Sequence, residues 1–251
     1  MLLLASFNFS AKALAAQPHC TYRYRRESVK INDRSITVEE YLQDGYRTYP
    51  LVFMIHGSAG AFTPLSAGEP QRDNFGEKDL AANCFVVILP HYLEAFGIKS
   101  LTSVQDMTRM FPQLLAVNST LLSRAEALQS VKGRPVFLFD ESLGGYLSVA
   151  LALRRPEISA LSEMSGGIPK GYAVTNPHRF AVRIFHGDDD TFVPTSEAND
   201  LERYCLVHTL RVEKTLYPGV NHYFPYDVRR AFVEGTIEFF QQIDGCCRPP
   251  Q

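Results

Sequence analysis

Four short, unbroken apolar runs constrain this chain more than any other feature of it. They are "LVFMIHG", "CFVVILP", "RPVFLFD" and "FAVRIFHGD". Each is too short for a helix and rich in β-formers, so each reads as a strand apolar on both faces. Such a strand must be covered on both sides, which is how a parallel sheet sits between helices. "ISALSEMSGG" adds another such run, and "RVEKTLYPG", more polar, follows the helical stretch near 195–206 as a further strand. Helical stretches fall between them: around 75–83, over 104–130, from "GGYLSVALALRRPE", near 195–206, and in "YDVRRAFVEGTIEFFQQI". The 104–130 stretch carries Val104, Met107, Phe111, Leu114 and Leu115 at helical spacing, and Pro112 is expected to break or kink it. Ahead of all this, "ESVKI", a turn at Asn32-Asp33 and "SITVEEYL" predict an antiparallel hairpin. The expected architecture is α/β: a mostly parallel central sheet, helices on both faces, and an antiparallel N-terminal hairpin.

The 251 residues, 45% of them hydrophobic, suffice for a large core. No internal repeat or low-complexity linker divides the chain, so a single domain over 22–243 is expected, with a C-terminal tail over 244–251. With 25 basic and 27 acidic residues the formal charge is -2, which argues against a nucleic-acid or anionic-membrane partner. "YRYRRE" at 22–27 reads as a solvated lead-in to the first strand. The opening "MLLLASFNFSAKALAAQ" pairs a short apolar run with Ala13-Leu14-Ala15, the A-x-A pattern of a signal-peptidase site, so 1–16 is read as a signal peptide. That segment predicts a periplasmic or secreted protein, and otherwise a cytoplasmic one. No run reaches the length of a membrane span. Five cysteines are an odd number. Cys84 and Cys205 fall within apolar patterns and read as core residues, whereas Cys20 is expected to bridge to Cys246 or Cys247. Nothing in the His and Cys spacing suggests a metal, and no cofactor is expected.

In a sheet of this type, ligands bind beyond the carboxyl ends of the strands. Ser142 passes that test, since it follows "VFLF" by two residues and precedes a helix opened by Gly144-Gly145. A sharp strand-to-helix turn would raise its hydroxyl above the sheet, and the Leu143 amide at the helix N-terminus could stabilise an oxyanion. A plain helix cap is the competing reading. The competitor weakens because three aspartates, Asp188 to Asp190, follow one apolar run and His222 follows the next. A serine hydroxyl needs a base to take its proton, and an imidazole base needs a carboxylate to fix its tautomer.

"HGSAG" (56–60), "ESLGG" (141–145), "HGDDDTFVP" (186–194) and "GVNHYF" (219–224) together resemble the α/β-hydrolase superfamily, most of all its dienelactone hydrolase-like branch. The resemblance covers roughly residues 28–242. It implies the α/β-hydrolase fold, with Ser142 as nucleophile, His222 as base and Asp190 as acid. It also implies that the backbone amides of Ser58 and Leu143 form the oxyanion hole. His56 and His186 are then loop-packing residues. His91, Tyr92 and Tyr223 lie on loops at the expected face and are candidates to touch substrate. Two departures stand out. The nucleophile is serine where the dienelactone-specific members carry cysteine, and Asp140 occupies the position of the first elbow glycine. Such an aspartate needs space and a partner, and is expected to bond to a nearby amide or to the His56 loop.

The expected function is hydrolysis of a small-molecule carboxylic ester or lactone through an acyl-enzyme. An amidase or small peptidase on the same fold is one alternative. A non-catalytic hydrolase-like binding protein, with Asp140 as its symptom, is the other.

Overall fold

The computed structural model describes residues 20–31, 33–61 and 75–245. The leader-like segment, Asn32, Cys246 and Cys247 lie outside them. The elements are β1 (Tyr22–Ile31), β2 (Arg34–Gln43), β3 (Leu51–Ile55), α1 (Glu77–Ala82), β4 (Val86–Pro90), α2 (Val104–Glu126), β5 (Val136–Glu141), α3 (Leu143–Ala152), β6 (Ile158–Met164), β7 (Ala181–Gly187), α4 (Thr195–Val207), β8 (Arg211–Tyr217) and α5 (Tyr226–Asp244). They build one eight-stranded sheet in the order β1-β2-β4-β3-β5-β6-β7-β8. The pairs β1–β2 and β2–β4 are antiparallel, and the pairs from β4–β3 through β7–β8 are parallel. This is an α/β-hydrolase-type fold, as the sequence predicts.

Alternation along the strands divides the core into two layers. Val136 and Leu138 of β5 pack with side chains of α2, α3 and α4, including Leu121, Leu147 and Leu201. Phe137 and Phe139 face the other way, toward α1 and α5. There Phe137 stacks on Phe240 at 4.5 Å and Phe139 on Phe232 at 4.8 Å between ring centroids. Offset aromatic pairs of this kind add to the burial energy of the rings themselves.

Three expectations are corrected. "YRYRRE" is not a lead-in, because β1 pairs in full register with β2 from Tyr22↔Gln43 to Ile31↔Arg34. Its arginines decorate an edge strand, where charge discourages pairing with another chain; Arg25 donates to Glu40 at 2.8 Å. Pro112 does not break α2, which runs unbroken from Val104 to Glu126. The hydrogen bond it forfeits falls on the exposed Thr108 turn, where water can satisfy the carbonyl, while Phe111, Leu114, Val117 and Leu121 anchor the helix on the sheet. Finally, Cys20 bridges to Cys84 rather than to the C-terminal pair. The Cys20 amide donates to the Ala82 carbonyl at 2.9 Å, which lays the start of β1 beside the end of α1. Cys84 is therefore no inert core thiol, and Cys205 is the free cysteine among the described residues.

The bridge closes a loop across a sequence separation of 64 residues. Loop-closure entropy of that size stabilises the folded state by about 4 kcal/mol. Reduction, or Cys84→Ser, should therefore lower the unfolding free energy in urea by a comparable amount. Equal midpoints with and without reductant would show that the bridge contributes nothing.

Candidate active site

The end of β5 turns directly into α3, and Ser142 occupies the turn with φ 54 and ψ -117. Such a backbone is costly for a residue with a side chain and persists only where the surroundings impose it. Two contacts impose it. The Ser142 amide donates to the Met164 carbonyl at 2.7 Å, tying the turn to β6. On the other side, α3 presses so close to β3 that a Cβ on Gly144 would lie 2.0 Å from the Ile55 carbonyl oxygen. Only glycine tolerates that approach.

His222 arrives from the loop after β8 and Asp190 from the loop after β7. The His222 Nε2 lies 3.0 Å from Ser142 Oγ, and its Nδ1 lies 2.8 Å from Asp190 Oδ2. The second Asp190 oxygen accepts from the amides of Phe192 and Val193, each at 2.8 Å. Burial pushes the Asp190 carboxyl up, but the bonds from His222, Val193 and Phe192 outweigh it and hold the group below the usual carboxylate range. Asp190 thus stays ionised and fully bonded. Asp188 instead accepts from the Gly219 amide at 2.6 Å, a turn contact.

Ser58 and Leu143 line the same cavity as Ser142 and His222. Among the described residues, the amides of Ser58 and Leu143 have no hydrogen-bond partner. The Leu143 amide belongs to the first turn of α3, where the helix dipole adds partial positive charge. Tyr223 also lines the cavity, but His91 and Tyr92 do not. His91 is drawn to the antiparallel side of the sheet, with Nε2 on Glu39 Oε1 at 2.9 Å. Tyr92 is fully buried; it stacks on His56 at 4.2 Å and donates to the His56 carbonyl at 2.9 Å. Tyr92 therefore braces the loop after β3, and His91 ties to β2, instead of lining the cavity. His186 is buried behind Asp190, where its Nε2 bonds to the Val193 carbonyl at 2.9 Å.

Asp140 departs from expectation. Its side chain is buried and neither carboxyl oxygen has a hydrogen-bond partner among the described residues. It points under α3, beside Glu163, its register partner on β6. A Cβ on Gly145 would sit 3.1 Å from an oxygen of each acid. Burial first, and then the Glu163 charge, push the Asp140 carboxyl well up; the Ser148 hydroxyl and the Met164 backbone nearby offset this only in part. Burial pushes Glu163 up to about 8, against the pull of the Gly166 amide, which donates to it at 2.6 Å. Burial and the neighbouring acid thus bias Asp140 toward its neutral form, which lessens the negative charge beneath Ser142.

The cavity measures about 740 Å³. Sequence reading missed much of its lining. Val104, Met107 and Phe111 count equally well as a core-facing stripe, and Phe192 lies in a loop whose aspartates dominate the pattern. The signal that was available is positional: Phe192 follows a strand end by a few residues, as Ser142 does.

The sequence model of the Dienelactone hydrolase family matches residues 70–239. The chain belongs to this family. A Synechocystis protein named "Putative carboxymethylenebutenolidase" is 23% identical over 230 residues, covering 86% of this chain and 93% of its own. Among solved structures, a "putative dipeptidyl aminopeptidase IV" of Bacteroides ovatus aligns with a TM-score of 0.70 at 14% identity, over 88% of this chain. This chain spans only 36% of that peptidase. A dienelactone hydrolase-like promiscuous phosphotriesterase from metagenomic libraries aligns with a TM-score of 0.68 at 12% identity, over 88% of this chain and 98% of its own. At such identities the structural likenesses establish the shared fold. The family makes this protein a dienelactone hydrolase-like hydrolase.

The carboxyl pair beneath the elbow predicts a pH effect on stability. An exposed glutamate titrates near ~4.3. Folded Glu163, pushed up to about 8, binds its proton more tightly than the unfolded chain does. Its contribution is full at acid pH and is lost as pH rises from that lower value through about 8. Glu163→Gln keeps the neutral shape and removes the titration. Urea midpoints should then diverge in favour of the variant between pH 5 and pH 8. Parallel midpoints across that range would mean that folded Glu163 carries no extra proton.

Proposed function

We propose that this family member is a serine hydrolase that cleaves carboxylic esters or lactones through an acyl-enzyme. The observation that carries the reading is the continuous relay Asp190–His222–Ser142, with spacings of 2.8 and 3.0 Å. Each step has a donor and an acceptor at hand. His222 Nε2 takes the Ser142 proton as Oγ bonds to the substrate carbonyl carbon. The oxygen becomes an anion, and the Ser58 and Leu143 amides are free to receive it. As the tetrahedral centre collapses, the C–O bond to the alcohol breaks and His222 returns the proton to the leaving oxygen. Water then attacks the acyl-Ser142 ester with His222 again as base, releasing the acid and restoring the serine. Asp190 holds the Nδ1 proton throughout and stabilises the imidazolium.

The relay disfavours a binding protein that has lost catalysis, since a merely structural serine needs no imidazole at 3.0 Å. The bias of Asp140 toward its neutral form weakens the main objection to an active elbow. The name of the Synechocystis relative, a carboxymethylenebutenolidase, is in line with a lactone or ester substrate. The Cys20–Cys84 bridge favours residence in an oxidising compartment.

Two measurements test the reading. A fluorophosphonate probe should label the wild type on Ser142, because only an activated serine reacts. Ester turnover should fall by about 10⁴-fold or more in Ser142→Ala and His222→Ala. Near wild-type esterase activity in either variant would remove the assignment.

A further inference from the structure

The cavity over Ser142 is built asymmetrically. On one side stands the start of α2, presenting Val104, Met107, Thr108 and Phe111 to the cavity. Val104, Met107 and Phe111 recur at the i, i+3, i+7 spacing of the apolar stripe that a surface helix ordinarily buries in the core, with the Thr108 hydroxyl turned back onto the Val104 carbonyl. Further along α2, Leu114, Val117 and Leu121 do pack on the sheet, so the stripe of one helix is split between core and cavity. This wall belongs to the oxyanion side. The Leu101 amide donates to the Ser58 carbonyl at 2.7 Å, and a Cβ on Gly60 would meet the Lys99 carbonyl at 2.5 Å. The lead-in to α2 is thus locked against the loop that carries the Ser58 amide.

On the other side stand Phe192 and Tyr223, packed edge to face at 5.7 Å. Each ring lies 5.4 Å from the His222 ring, between centroids. Val104, Phe192 and Tyr223 are 76%, 67% and 51% exposed. Large apolar side chains left open around one cavity mark a ligand surface rather than scattered exposure. Among the described residues no carboxylate and no arginine line the cavity, and Lys170 and His222 are the ionisable groups there besides tyrosines. A substrate with a buried charge would have to shed water for little return.

The two walls correspond to the two arms of an ester. The leaving alcohol must lie within reach of His222 Nε2, which protonates it, and so beside Phe192 and Tyr223. The acyl arm then runs from the oxyanion loop along α2. Val104 to Phe111 spans about 10 Å of helix axis, a rise of ~1.5 Å for each residue. We infer that the substrates are uncharged esters with an extended apolar acyl chain lying along α2, and an aromatic or bulky apolar alcohol lying against the Phe192 and Tyr223 pair. This rests on the ester-hydrolase reading and specifies its substrate class.

The test compares kcat/KM for p-nitrophenyl acetate, butyrate, hexanoate and octanoate, and for benzyl against methyl butyrate, whose alcohols are leaving groups of similar acidity. Full burial of one methylene gains about fourfold, so burying even half of the six extra methylenes should favour octanoate over acetate by ~60-fold, and benzyl butyrate should exceed methyl butyrate. Met107→Trp fills the α2 wall and should lower the octanoate-to-acetate ratio by ~10-fold or more. Phe192→Ala should lower the benzyl-to-methyl ratio. Because each ratio is taken within one preparation, a partly folded variant does not distort it. Fluorophosphonate labelling of Ser142 with a flat or falling chain-length series, or with ratios indifferent to both substitutions, would overturn this inference alone. Absence of both labelling and ester turnover would overturn it together with the ester-hydrolase reading.

Discussion

The approach of α3 to the end of β3 is the contact on which the rest of the site depends. With no side chain at Gly144, the helix start settles against the Ile55 carbonyl, where a Cβ would sit 2.0 Å away. That position, with the Ser142 amide held by Met164, forces the serine into its positive-φ turn. The strain has a consequence for chemistry. A serine in ordinary backbone geometry at this point would cap the helix with its own hydroxyl. Here the Ser142 side chain makes no cap bond and is turned toward His222. The Leu143 amide, left open by the same geometry, points its partial charge at the place where a substrate oxygen can sit. Packing between glycine and a carbonyl thereby sets the proposed nucleophile and the proposed oxyanion donor together.

The sheet topology supplies the other members without further strain. Parallel strands from β3 to β8 end on one rim, so the loops after β3, β5, β7 and β8 meet there although their residues are far apart in the chain. Asp190 is fixed by two amides of its own loop, and it in turn fixes the His222 ring. Each residue of the relay is oriented by backbone groups one step removed, which is why mobile side chains are not needed to assemble it.

Much of this was legible before the structure. Continuous apolar runs state the sheet because a strand buried on both faces can carry few polar residues, and the rim rule then singles out Ser142, the aspartate cluster and His222. What was not legible depends on distances between elements. Periodicity cannot tell that the α2 stripe changes its neighbour from core to cavity at Phe111, since both neighbours demand the same apolar residues. His91 and Tyr92 also satisfy the rim rule, yet β4 stands beside the antiparallel β2, and Glu39 draws His91 away from the cavity. Cys84 sits in an apolar pattern as a core cysteine would; only the placement of β1 against α1 brings Cys20 to it.

Asp140 shows how an elbow can lose a glycine and keep its shape. At this position β5 faces α3, on the same side as Leu138, so any side chain must fit between strand and helix. The space comes from the opposite surface: Gly145 and Gly166 approach so closely that a Cβ on Gly145 would be 2.9 Å from the Gly166 Cα. Two glycines facing each other make room beside them for two carboxyls, Asp140 and Glu163. The remaining difficulty is charge, since two buried acids without a cation cannot both ionise. Burial and the neighbouring acid push Asp140 toward the protonated form, a neutral group of about the size of asparagine. The position therefore tolerates an acid for the same reason that it would reject a lysine: the site under the elbow accepts volume and polarity, and refuses net charge.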